Sequence, residues 1–248
     1  MKISEARIII TGGARGIGNY LATEFAAQAA QVIVVDNNKE LLDALPKLSN
    51  VQYLHCDITE AEAVQALMQK IFKELGGANV CINNAGIIHS EPLINLLSRP
   101  DKKHNLQNWQ RVMDVNLNAV FYMGANFAEQ VVSSKGKGII LNISSIAAQG
   151  NIGQSAYAAS KAGVEALTKT WSKELGMFKI RCACIAPGFF DTPSTRESVN
   201  DHMLDKWKKN VPLAKLGALE DLYSAASFII ENEYFNGKVL ALDGGLTL

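Results

Sequence analysis

The chain has 248 residues, and its 24 lysines and arginines balance 24 aspartates and glutamates. That length suits one α/β domain, and the even charge gives no electrostatic reason to expect nucleic acid or an anionic membrane as partner, so a small-molecule substrate is favoured. No apolar run reaches the roughly 18 residues of a membrane span, and Met1-Lys-Ile-Ser-Glu5 leads into a strand without a leader pattern, so a cytoplasmic location is expected.

Short apolar runs alternate with longer segments of helical period. The runs are residues 7–10, 31–35, 51–56, 79–82, 138–143, 180–185 and 238–242, and the helical segments include 19–29, 60–75, 109–132, 157–176 and 219–231. Continuous apolar runs suit a parallel sheet covered on both faces. The expected fold is α/β: a doubly wound parallel sheet of about seven strands with helices on both faces, and ligands at the carboxyl ends of its strands. Residues 1–248 read as a single domain with two excursions, 87–108 and 189–212, suited to substrate contact. The first carries Pro92, Pro100 and a charged tip, Arg99-Pro-Asp-Lys-Lys-His104; the second carries Phe189, Phe190, Pro193, Met203 and Trp207. An ordinary surface insertion fits the first equally well.

The first strand runs into Thr11-Gly12-Gly-Ala-Arg15-Gly16-Ile17-Gly18 and then a helix. In that context Gly12 permits a tight turn, Gly16 lets backbone approach a pyrophosphate, and Gly18 allows helix to pack closely on strand; the helix amino terminus offers unpaired N–H groups to phosphate. Asp36 ends the second strand, where a carboxylate accepts ribose hydroxyls and repels a 2′-phosphate, favouring NAD (NADH) over NADP. Arg15 pulls the other way, since an arginine there can pair with that phosphate. Asp57 and Ile58 follow the third strand and suit the adenine edge, with Asp57 also able to cap the next helix. Asn84, Ala85 and Gly86 close the fourth strand with residues that tolerate tight turns, and their small side chains would let backbone approach the cofactor, a plain β-turn being the alternative.

Tyr157 and Lys161 lie one helical turn apart, so phenol and ammonium share a face and the cation favours the phenolate. Cys56, Cys81, Cys182 and Cys184 match no zinc or redox spacing and read as reduced core thiols. The four histidines, His55, His89, His104 and His202, show no ligand spacing, so no metal is expected, and His89 is left unassigned. Lys206, Lys208 and Lys209 suit either a solvated helix face or a phosphorylated carrier such as coenzyme A.

Taken together, Thr-Gly-x-x-x-Gly-x-Gly, Asn-Asn-Ala-Gly, Tyr-x-x-x-Lys and Pro187-Gly188 occur in the order and spacing of the short-chain dehydrogenase/reductases, which the chain resembles from Arg7 to Gly245. The resemblance implies a Rossmann-type domain, a homotetramer and a catalytic set falling on Asn116, Ser145, Tyr157 and Lys161. It implies that Tyr157 and Lys161 also contact the cofactor, and that Pro187, Gly188, Phe190 and Thr192 orient its nicotinamide. Ser144 keeps the family's usual spacing to Tyr157, whereas Ser145 lies one residue closer but better matches the flanking Asn-Ile-Ser-Ser pattern; Ser145 is preferred and Ser144 stays open. The reaction implied is hydride transfer between a nicotinamide and a secondary alcohol or ketone. Similarity to type 2 3-hydroxyacyl-coenzyme A dehydrogenases and 3-oxoacyl-acyl-carrier-protein reductases favours a coenzyme A or acyl-carrier thioester as substrate. Another apolar secondary alcohol such as a hydroxysteroid is the alternative, and a non-catalytic NAD-sensing protein is a third reading.

Overall fold

The structure, a computed structural model, describes residues 1–97, 101–192, 196 and 201–247, without the side chains of 201–203. Arg99, Pro100 and Pro193 lie outside the described residues, as do the side chains of His202 and Met203.

Seven strands form one parallel sheet in the order β3-β2-β1-β4-β5-β6-β7. They are β1 (Arg7–Thr11), β2 (Gln31–Asp36), β3 (Val51–His55), β4 (Val80–Asn83), β5 (Gly138–Ile143), β6 (Ile180–Pro187) and β7 (Val239–Leu242). The order reverses between β1 and β4, and the loops leaving those two strands diverge there into a crevice.

Strand alternation sends successive residues to opposite layers. Ile8, Ile10, Val32, Val34, Ile139, Leu141, Ala183 and Ile185 meet helices α1 (Gly16–Ala27) and α8 (Leu219–Glu231) on one face. Ile9, Ile33, Cys81, Ile140, Cys182 and Cys184 meet α3 (Ala61–Glu74), α5 (Ala119–Ser133) and α6 (Ser155–Glu174) on the other. The shared face expected for Cys182 and Cys184 is thus the α3/α5/α6 face. All four cysteines are free and buried, and burial pushes Cys81, Cys182 and Cys184 up to about 12, where thiolate chemistry at neutral pH is closed to them.

Among the described residues, the shorter α-helices are α2 (Lys39–Ala44), α4 (Leu106–Met113) and α7 (Asp201–Asn210). The expected helix 109–132 is longer and interrupted: α4 passes into a π-helical turn, Asp114–Asn118, before α5 resumes. No helix among the described residues is long and apolar enough to cross a membrane.

Helices α5 and α6 approach closely at Gly124, where a Cβ would lie 2.7 Å from the Trp171 ring. Gly124→Val should overpack this contact and cost about 1–3 kcal/mol. The check is the urea midpoint, which should fall at unchanged m-value; an unshifted midpoint would mean the helices separate freely.

Candidate active site

Close packing fixes the loop between β1 and α1. Gly12 has φ +63°, and a Cβ on it would lie 2.8 Å from Ala85 Cα; a Cβ on Gly18 would lie 2.3 Å from the Gly12 carbonyl. Gly16 has φ +57°, and a Cβ there would meet nothing within 4 Å, so the loop's outer side is open for a ligand to approach. Asn84 clamps the loop from the β4 side, its Nδ2 donating to the carbonyls of Thr11 (2.9 Å) and Gly12 (3.2 Å). The backbone N–H groups of Asn84 and Ala85 both donate to Thr11 Oγ1 at 3.1 Å. Asn84 and Ala85 therefore build the loop's floor. Ile17 packs against the α1/α8 layer of the core, and Arg15 is exposed at the α1 amino terminus.

At the end of β2, the Asp36 carboxylate accepts from Ala14 N–H and Asn38 N–H, both at 3.0 Å. Those bonds aim it at the glycine loop and hold it there. Asp57 does not cap α3, whose N-cap is Glu60; its Oδ1 instead accepts from Thr59 N–H (3.0 Å) and Thr59 Oγ1 (2.7 Å), bracing the turn before the helix. Ile58 packs against the α3/α5/α6 layer.

The second half of the site grows from the end of β5. Asn142 Nδ2 donates to Thr168 Oγ1 (2.8 Å), Lys161 Nζ donates to the Ile143 carbonyl (2.8 Å), and Ser144 Oγ donates to the Lys161 carbonyl and to Glu165 Oε1 (both 3.1 Å). Three consecutive residues thus grip one stripe of α6. Ser144 is committed to that grip, whereas the Ser145 hydroxyl accepts from Ala147 N–H and is near enough to Tyr157 to oppose the rise in its pKa. Asn116 sits in the π turn, where its carboxamide accepts from Ile87 N–H (2.8 Å) and donates to the Ile87 carbonyl (2.9 Å), locking the start of the 87–108 excursion. A Cβ on Gly86 would lie 3.3 Å from Asn116 Oδ1 and 3.4 Å from Lys161 Nζ, so Gly86, Asn116 and Lys161 converge.

The electrostatics differ from the expected phenolate. The Lys161 ammonium lies 5.8 Å from the Tyr157 ring centre and is engaged by the Ile143 carbonyl. Burial therefore wins, raising Tyr157 above its ordinary value against the opposing pull of the Ser145 hydrogen bond. Burial also lowers Lys161 to about 8. In this geometry the phenol keeps its proton at neutral pH, and the lysine is the softer of the two groups.

On the β6 side, Pro187 pairs with Leu242, and a Cβ on Gly188 would lie 2.8 Å from Asp243 Cα. The side chain of Phe190, in the excursion suited to substrate contact, belongs to the core: its ring lies against Gly217, and its backbone bridges that residue. Phe189 stacks on Trp207, centroids 4.3 Å apart and nearly parallel. Thr192 is buried. Lys206, Lys208 and Lys209 are exposed, and Lys208 pairs with Asp205 at 3.6 Å.

Sequence spacing missed one cluster. Backbone pairing across the first excursion returns His104 to within reach of His89 and Glu91, which lie two residues apart on extended chain. The readable signal was an alternating His-Ser-Glu followed by a chain reversal.

Lysine burial has a measurable consequence. Between about 8 and the ordinary 10.5, the unfolded chain holds a proton at Lys161 that the folded chain does not, so stability rises with pH across that window and the burial cost is greatest below it. Lys161→Met should therefore be more stable than the parent at pH 7, by on the order of 1–2 kcal/mol after the lost carbonyl hydrogen bond. The gain should shrink toward pH 10; thermal melts that show no gain at pH 7 would contradict it.

Comparison with known proteins completes the site. A family model described as Enoyl-(Acyl carrier protein) reductase matches residues 12–247. The chain is 36% identical over 247 residues to a 3-oxoacyl-[acyl-carrier-protein] reductase, FabG, of Chlamydia muridarum, covering 96% of each chain. It is 32% identical over 266 residues to the (3R)-3-hydroxyacyl-CoA dehydrogenase of Rattus norvegicus, covering 99% of this chain and 98% of that one. A solved short chain dehydrogenase from Bacillus anthracis superposes with a TM-score of 0.84 at 28% identity, over 98% of this chain and 97% of that one. A parallel sheet with its glycine loop at the reversal, a tyrosine and lysine one turn apart, and full-length relatives of this kind agree: the chain belongs to the short-chain dehydrogenase/reductase family of oxidoreductases acting on CH–OH groups.

Proposed function

We propose that the protein is an NAD(H)-dependent dehydrogenase that interconverts secondary alcohol and ketone on 3-hydroxyacyl and 3-oxoacyl thioesters. The observation that carries this reading is Tyr157 and Lys161 one turn apart on α6, with Ser145 at the end of β5 close enough to pull on the Tyr157 hydroxyl and with Lys161 converging on Gly86 of the β4 loop. The open side of Gly16 and the α1 amino terminus fit a pyrophosphate, and Asp36 fits the adenosine ribose. When bound, the dinucleotide would supply the carbon that takes or gives hydride and, in its oxidised form, a positive charge.

The chain's own residues do the rest. In reduction, the Tyr157 hydroxyl donates its proton to the ketone oxygen, and its raised pKa keeps that proton ready at neutral pH. The Ser145 hydroxyl donates a hydrogen bond to the same oxygen as charge develops. In oxidation Tyr157 must first give up its own proton, which its raised pKa opposes, and only as phenolate can it take the alcohol proton. Lys161, lowered to about 8, can return a proton toward the tyrosine side of the cleft, and Asn116 holds the neighbouring loop in register.

Asp36 supports NAD over NADP because two backbone bonds prevent it from swinging aside, so a 2′-phosphate would meet a fixed anion. The thioester assignment follows from the two thioester-named relatives and from the exposed apolar residues of the first excursion, Ile88 (70% exposed) and Leu93 (69%), which suit an acyl chain. We also assign the chain to the cytosol as a homotetramer joined through α5 and α6, whose outward face carries Phe121 and Val132.

Steady-state assays with NADH and NADPH against acetoacetyl-coenzyme A, longer 3-oxoacyl thioesters, simple ketones and ketosteroids test this directly. NADH with a thioester should give the highest kcat/KM, and Asp36→Ala should raise NADPH use by about tenfold or more, the removal of one like-charge contact. Preference for NADPH by the parent chain, or for a ketosteroid, would reject the corresponding part of the assignment.

The roles of the hydroxyls separate by variant. Tyr157→Phe should lower kcat by about 10²–10⁴-fold while NADH affinity, read by fluorescence titration, stays within a few-fold; a protein that works only as a sensor would lose nothing. Ser145→Ala should lower kcat by about 10²–10³-fold. Ser144→Ala should instead lower the melting temperature and leave kcat nearly intact, and the reverse pattern would transfer the catalytic role to Ser144.

A further inference from the structure

We propose that His89, Glu91 and His104 form a binding site for a divalent transition metal ion of the zinc class, on the loop that follows the Asn84–Gly86 turn. The loop builds the site by reversing on itself. Asn95 N–H donates to the Lys102 carbonyl (2.7 Å), His104 N–H donates to the Leu93 carbonyl (2.9 Å), and Ile94 bridges Lys103 antiparallel. This reversal carries His104 back to Glu91, and one ligand atom from each of the three residues then lies within 4.8 Å of the others.

His104 shows that a cation belongs there. Its side chain is 6% exposed, and its Nδ1 lies 3.1 Å from the Glu91 carbonyl oxygen. A carbonyl only accepts, so Nδ1 carries the proton of the neutral ring and Nε2 carries the lone pair. That buried Nε2 has no hydrogen-bond partner among the described residues; Glu91 Oε2, at 3.8 Å, is too distant. A lone pair and a carboxylate oxygen therefore face each other across a short gap, an arrangement that a positive ion between them relieves.

The remaining ligands are prepared as well. Glu91 Oε1 accepts from Asn105 N–H (3.0 Å) and Oε2 from Asn108 Nδ2 (3.4 Å), which fixes the carboxylate, while His89 Nε2 lies 2.9 Å from Oε2. The His104 Nδ1 contact plays the orienting part that an outer hydrogen bond plays for metal-bound imidazoles. A tetrahedral zinc ion with bonds near 2.0–2.1 Å separates its ligand atoms by about 3.3 Å. The separations of 2.9 and 3.8 Å bracket that value, so small side-chain rotations suffice. Two imidazoles and one carboxylate select zinc, cobalt or nickel over magnesium and calcium, which prefer all-oxygen shells. His89 and Glu91 are half-buried, which gives an ion a way in and a solvent ligand a place to bind.

An ion here would fasten the first excursion to the catalytic helix. Glu91 N–H donates to the Gly153 carbonyl (2.6 Å), and Glu91 bridges Gln154, the residue that precedes α6 and Tyr157.

The test uses tag-free protein stripped with EDTA and titrated with cobalt(II), read by visible absorption, and with zinc(II), read by calorimetry. Expected are one equivalent of either ion per chain, cobalt bands of tetrahedral or five-coordinate intensity, and no uptake of magnesium in large excess. His104→Gln and Glu91→Gln should each weaken zinc by at least about tenfold, the range seen when a ligand shell is damaged. His89→Gln, on the accessible side, should do the same, and it decides the matter if a buried variant fails to fold as judged by NADH binding. Absence of stoichiometric uptake would mean that a proton alone satisfies His104, and uptake unchanged in His89→Gln would place the ion elsewhere; either result overturns the assignment.

Discussion

The site depends on an ammonium group with almost no exposed surface being held against the last carbonyl of β5. Lys161 is 4% exposed, and its bond to Ile143 is one of four that Asn142, Ile143 and Ser144 make to residues 161, 165 and 168 of α6. Those helix positions follow the i, i+4, i+7 stripe that faces a sheet, and strand alternation does not interrupt the grip because the Ile143 contact uses a backbone carbonyl. Ser145 is the first residue beyond the grip, and its hydroxyl meets Tyr157. A buried charge fixed this way is costly in isolation and stable only with its hydrogen bond, so geometry and protonation at the site are set together.

The opposite wall of the crevice is set by exclusion of volume. Gly12 against Ala85, and Gly18 against the Gly12 carbonyl, leave no room for side chains, while Thr11 and Asn84 hold the β1 and β4 loops by hydrogen bonds. Gly16 differs from both because its outer side faces open space. One wall is therefore pinned by polar contacts to a helix and the other by close backbone contact, and both meet where the strand order reverses.

Much of this was legible in the sequence because it rests on short-range patterns. Seven apolar runs marked the seven strands, glycine spacing marked the first turn, and one helical turn between Tyr157 and Lys161 placed both on one face. What could not be read depends on partners distant in the chain. Asn142 looked like a strand residue and Ser144 like a candidate for catalysis until Thr168, Lys161 and Glu165 were seen opposite them. Phe190 fell in an excursion suited to substrate contact, but the core claims its side chain beside Gly217. The direction of the Tyr157 shift followed the same logic: sequence supplied the cation but not the carbonyl that occupies it or the burial that outweighs it.

The π-helical turn at Asp114–Asn118 has a consequence for how the chain tolerates change in length. Such a turn accommodates a surplus residue without rotating the helix beyond it. Shortening the turn by one position would let α4 run directly into α5 as regular helix, with the buried faces of both still in phase. The cost would fall on the wider spacing that now carries the Asn116 carboxamide to both backbone groups of Ile87. The extra residue thus serves the neighbouring loop rather than the helix that contains it.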